Sequence, residues 1–99
     1  MQEPIRIIWD NQAKSDLKLL FDFLKIKSPE IASKVIHNLI NQTKKIRFAK
    51  QYQVDEFLGE PFRRMIVSHF KIVYKVHNEF EIRILQIFDT RQNPNQINK

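Results

Sequence analysis

The chain has 99 residues, 42% of them apolar, with 17 Lys and Arg against 11 Asp and Glu, three His, one Gly and no Cys. That length supports one modest core hiding about 65% of the unfolded surface, so a single domain over residues 1–99 is expected and disorder is not. The absence of Cys excludes a disulfide framework, a thiolate metal site and a thiol nucleophile, while a formal charge of +6 favours a polyanionic partner without choosing among nucleic acid, ribosome and acidic protein.

Ile5, Ile7 and Trp9 alternate with Arg6 and Ile8 and predict a first strand. Asp10 then interrupts the apolar run, and nowhere do about 18 apolar residues follow one another. Neither a signal peptide nor a membrane span is expected, and the protein is expected in the cytoplasm. Asp10 or Asn11 should cap a helix in which Ala13, Leu17, Leu20, Phe21 and Leu24 share an apolar face, ending near Lys27.

Ser28, Pro29 and Glu30 form a second helix start: a hydroxyl cap, a proline where no amide partner is lost, and an acid favoured by the dipole. Ala32, Val35, Ile36, Leu39 and Ile40, with Thr43 and Ile46 as an extension, continue the stripe, and the short link predicts an antiparallel helical hairpin. Lys34, Lys44, Lys45, Arg47 and Lys50 follow with no acid between Glu30 and Asp55. The simplest reading of that block is a solvated helix end; the other is a surface for a polyanion.

Periodicity is lost over residues 47–61, which contain Gly59 and Pro61 and predict a loop. Afterwards the period becomes two. Residues 62–68, 70–77 and 80–89 are three β-rich runs with very short links, predicting an antiparallel meander. Phe70, Ile72, Tyr74 and Val76 suit the helices. Arg63, Met65, Lys71, Val73, Arg83, Leu85 and Ile87 are assigned to the opposite face, too apolar to be merely solvated and too charged to be a core, and so to binding. From Gln92 onward the chain is polar and is expected to be a loose tail. The fold class expected is α+β, β-α-α-β-β-β, with an antiparallel sheet packed on a helical hairpin.

His37, His69 and His77 have no metal-ligand spacing, and no metal or small-molecule cofactor is expected. Glu79, Glu81 and Asp89 are read as salt-bridging or solvated, and Tyr74 with the core-phase Phe residues as packing.

Trp9 before a helix carrying Ala13 and Asp16-Leu17, the strand Phe70-Lys-Ile-Val-Tyr74, and Ile84-Leu-Gln-Ile-Phe-Asp-Thr-Arg91-Gln-Asn-Pro94 together resemble the RelE/ParE superfamily of toxins from type II toxin–antitoxin systems. The resemblance covers nearly the whole chain. It implies growth inhibition, plasmid stabilisation and an antitoxin partner. In ribosome-dependent members basic residues stabilise a phosphorane during cleavage of mRNA, and on that pattern Arg63, Lys71 and Arg91 would hold phosphate oxygens. The C-terminal Tyr or His of such enzymes has no counterpart after Arg91. That absence favours the ParE-like branch, which acts on DNA gyrase. Asp89, His69 or Tyr52 could substitute for the missing catalytic residue in a ribonuclease, and an inactive or regulatory paralogue is a third alternative. Antitoxin or target binding is expected on Arg63, Met65, Lys71, Val73, Arg83, Leu85 and Arg91.

Overall fold

A computed structural model describes residues 4–91. The order is β1 (Arg6–Trp9), α1 (Asn11–Lys25), α2 (Pro29–Thr43), β2 (Phe62–Val67), β3 (Phe70–Asn78) and β4 (Glu81–Asp89). The expected α+β succession is therefore present; the polar tail at 92–99 lies outside the described residues.

The four strands form one sheet in the order β1-β4-β3-β2. The meander β2-β3-β4 is antiparallel as expected. β1 joins it parallel to β4, with Ile7 opposite Ile82 and Trp9 opposite Ile84, so the sheet is mixed. A parallel neighbour requires a crossover connection, which the two helices and the meander provide.

Ser28 caps α2 as its sequence predicts, its Oγ accepting from the Ile31 amide at 3.2 Å ahead of Pro29. Asp10 stands at the N-cap of α1, but its side chain makes no cap bond. Its carboxylate lies 3.8 Å from the Arg83 guanidinium instead. α1 packs against both α2 and β4, and the core gathers Ala13, Leu39 and Ile46 over Met65, Ile72, Tyr74, Ile82, Ile84 and Ile87.

Two features set which face each strand residue takes. The two-residue link Ser68-His69 pairs Val67 with Phe70, hence Met65 with Ile72 and Arg63 with Tyr74. Directly paired residues share a face, so Arg63 and Met65 belong with the inward Ile72 and Tyr74. A register shift between Val73 and Tyr74 places Val73 opposite Gln86 but Tyr74 opposite Ile84, leaving Leu85 as an extra residue. Such a bulge inverts the alternation beyond it. Ile87 consequently turns into the core and Phe88 turns out, the reverse of strict period two.

The segment between α2 and β2 wraps the outer edge of the sheet. Tyr74 Oη donates to the Ala49 carbonyl at 2.9 Å and accepts from the Tyr52 amide at 3.4 Å, tying the start of the segment to the inner face. Val54 then bridges Arg63 beside β2. Gly59 turns the chain back with φ 71°, a conformation open to glycine at little cost. The Glu60-Pro61 peptide is cis. The start of the β2 edge is thereby paired, the Asp55 amide donating to the Phe62 carbonyl at 2.9 Å and the Arg64 amide to the Gln53 carbonyl at 3.0 Å, which shortens the row of free backbone groups open to another chain.

Candidate functional site

The expected binding face does not assemble. Met65 and Val73 are each only 2% exposed, and Ile87 is in the core. Met65 and Ile87 are corrected by the tight turn and the bulge. Val73 does lie on the outer side, opposite Arg64, yet it is buried there.

Arg63 is inward-facing and buried, and its fork is occupied. One terminal nitrogen donates to the Tyr52 carbonyl at 2.6 Å and reaches the Lys50 carbonyl at 3.5 Å, and the other pairs with Glu60. Lys71 is on the other side of the sheet, opposite Ile66 and Phe88. Its ammonium is 2.7 Å from the buried Asp55 carboxylate and lies over the rings of Phe57 and Phe88, 5.0 and 5.7 Å from their centroids. Burial alone would raise the Asp55 carboxyl, but the Lys71 ammonium and the Leu58 and Phe57 amides outweigh it and hold it below its ordinary value of 3.8. Both cations therefore fasten the 47–61 segment to opposite faces. The reading of Arg63 and Lys71 as one exposed phosphate clamp is corrected accordingly: their partners come from a stretch without periodicity that gave no warning of such pairing.

Arg83 and Leu85 are accessible to different degrees: Arg83 is exposed beside Asp10, whereas the bulged Leu85 is half-buried. Arg91 does meet candidate chemistry. Its guanidinium contacts His69 Nε2 at 2.8 Å and Asp89 at 3.4 Å, and the Asp89 carboxylate is 3.7 Å from the same imidazole nitrogen. Burial would raise the Asp89 carboxyl, but the Arg91 amide and guanidinium, helped by His69, lower it. A carboxylate, an imidazole and an exposed guanidinium thus lie together in one cluster. The β2–β3 turn and the end of β4 bring these three together, as Thr90 donates through both its amide and its hydroxyl to the His69 carbonyl, each at 2.9 Å.

A second surface was missed in the core-face assignment of α1. Leu19, Phe23 and Ile26 are 67%, 52% and 81% exposed. Their i, i+4, i+7 spacing forms a second apolar stripe, and that spacing was the available signal. β1 pairs with β4 only as far as Ile84. Beyond it α1 closes over the strand, and the Asp16 carboxylate accepts from the Ile87 amide at 2.9 Å. Leu19, Leu20 and Phe23 then border a cleft of about 250 Å³ with Ile87, Phe88 and Asp89.

The fold and these surfaces define the class: a small α+β domain with a half-wrapped sheet, an unpartnered apolar helix stripe and an excess of basic residues. The match to the ParE toxin of the type II toxin–antitoxin system parDE extends over residues 7–94. The chain belongs to that family.

Among solved structures, the chain is similar to one described as a chromosomal ParDE toxin–antitoxin system from P. aeruginosa, with 22% identity and a TM-score of 0.70 over 86% of this chain and 95% of that one. It is also similar to a conserved hypothetical protein, HP0894, from Helicobacter pylori, with 19% identity and a TM-score of 0.55 over 86% and 93% of the two chains. No curated protein matches its sequence significantly.

Proposed function

We propose that the protein inhibits growth by acting on DNA gyrase and is neutralised by a cognate antitoxin. The observation that carries this reading is the internal commitment of Arg63 and Lys71. A ribonuclease of the expected kind needs several cations converging on one phosphodiester, since catalysis there is positioning plus charge stabilisation. Here two of the three candidates are buried on opposite faces and neutralised by Glu60 and Asp55. Membership of the ParE family points the same way.

The antitoxin reading is supported by the α1 stripe and the cleft beside it. An exposed apolar row of Leu19, Phe23 and Ile26 invites a partner helix or strand that removes it from water. A basic protein gains further from an acidic partner through faster encounter.

Ribosome-dependent mRNA cleavage is a second reading, favoured by the His69, Asp89 and Arg91 cluster. Expression without antitoxin separates the two. Gyrase-dependent chromosome breaks with intact message are expected; codon-linked message cuts that disappear in His69→Ala would replace the gyrase reading, and absence of growth arrest would leave a regulatory paralogue.

A further inference from the structure

The turns that follow α2 carry a cationic surface used by none of the interactions above. Thr43, Ile46 and Ala49 are buried, every third residue, while Lys44, Lys45, Arg47, Phe48 and Lys50 between them are exposed. The segment is held firmly. The Lys45 and Ile46 amides donate to the Gln42 and Thr43 carbonyls, Gln51 accepts from the Arg47 amide at 2.6 Å and donates to the Lys45 carbonyl at 3.4 Å, and Tyr74 bonds the Ala49 carbonyl. Four cations and a 54% exposed Phe48 ring are thus presented on a fixed shelf.

Among the described residues, none of the shelf cations has a carboxylate within ion-pairing distance, whereas Lys25, Arg63, Lys71, Arg83 and Arg91 each have one. No acid occurs between Glu30 and Asp55. Back along α2 the exposed Lys34, Asn38 and Asn41 follow 4-3 spacing and so extend one cationic and amide-bearing side over about 10 Å toward the shelf. A solvated helix end accounts for part of this, because the carbonyl pole favours Lys44 and Lys45. That effect fades within the last turn and leaves Arg47 and Lys50 without a reason.

We propose that this shelf binds the phosphodiester backbone of a nucleic acid. Unpaired, rigidly based cations release counterions when they meet phosphates, and an exposed aromatic ring among them offers a stacking surface to a base. A chain of phosphates suits the shelf better than an acidic protein face because the run holds only cations, amides and one ring, with no acid to pair with a protein's own Lys or Arg. The inference stands apart from the gyrase reading, since direct binding is measured with the toxin and nucleic acid alone.

The test is fluorescence anisotropy of the purified full chain with a labelled short duplex DNA and, separately, a labelled single-stranded RNA, between about 50 and 200 mM salt. Binding that weakens steeply with salt is expected. Replacing Lys44, Lys45, Arg47 and Lys50 together by Gln should weaken it at least tenfold at low salt and reduce the log–log salt slope by about 2–4, at roughly 0.9 for each phosphate no longer neutralised. A control in which Lys18, Lys25, Lys27 and Lys75 become Gln carries the same net charge and should stay within about threefold of the unsubstituted chain. Lys44→Arg, Lys45→Arg and Lys50→Arg together should retain binding, with thermal melting confirming that every variant is folded. Whichever of the two nucleic acids binds more tightly is the source of the phosphates. Equal losses in the control, no binding at the lowest salt, or tighter shelf-dependent binding of poly-glutamate than of either nucleic acid would each overturn the proposal.

Discussion

Among single residues, Asp55 and Lys71 carry the clearest energetic consequence. Each is almost completely buried, and each is the other's counter-charge. Removing one partner strands a charge in a place that water cannot reach, so Asp55→Ala should destabilise the fold by about 3–5 kcal/mol in urea unfolding. The double variant Asp55→Ala with Lys71→Met should lose less than the two single losses added together, because the cycle removes the shared term once. Proton linkage makes a second prediction. The Asp55 and Asp89 carboxyls are both held below 3.8 in the folded chain. Their contribution is therefore complete above the unfolded value and is lost as pH falls through the folded values. The melting temperature should drop as pH is lowered below about 4, and Asp55→Asn should make that decline shallower. Parallel curves for the two proteins would show that Asp55 is not held in its ionised form. None of this was legible in the sequence, where Asp55 stands in an aperiodic loop and Lys71 looks like an outward strand lysine.

Elements were more legible than the faces they present. Ser28-Pro29-Glu30 marked the start of α2 because local hydrogen bonding decides a helix cap, and the change from helical to two-residue spacing marked the meander. The inward phase of β2 was also recoverable: a two-residue turn pairs Val67 with Phe70 and carries Met65 and Arg63 inward with them. The bulge at Leu85 was not, since neither Gly nor Pro announces it and only pairing with β3 reveals the extra residue. Its consequence can be measured. Ile87→Ala should cost about 2–5 kcal/mol as a core truncation, whereas Ile66→Ser, at a half-exposed position, should change stability by no more than about 0.5 kcal/mol. The wrapped edge gives a comparable test: Tyr74→Phe removes the hydroxyl that joins the Ala49 carbonyl to the Tyr52 amide and should cost about 1–2 kcal/mol. Burial raises the Tyr74 hydroxyl above its ordinary value, so this tie stays protonated throughout the neutral range.

The whole molecule separates its tasks. One flank of the sheet is closed by the 47–61 segment, which consumes Arg63 and Lys71, while α1 leaves an apolar row beside the open end of β4. Family and fold were visible because the order of elements and the spacing of apolar residues survive without any fixed site chemistry. The expected binding face does not assemble because exposure depends on the chain returning over a strand, which no local pattern records. Replacing Leu19 and Phe23 by Gln should leave the melting temperature nearly unchanged and abolish rescue of growth by the antitoxin; undiminished rescue would place the antitoxin elsewhere. On the proposed reading the protein is a gyrase-directed toxin rather than a nuclease built on Arg63, Lys71 and Arg91. Purified protein incubated with gyrase, ATP and plasmid DNA tests that most directly, with trapped gyrase–DNA cleavage complexes as the readout. Dose-dependent accumulation of those complexes is predicted. Unchanged plasmid topology, together with cleavage of mRNA on translating ribosomes, would contradict it.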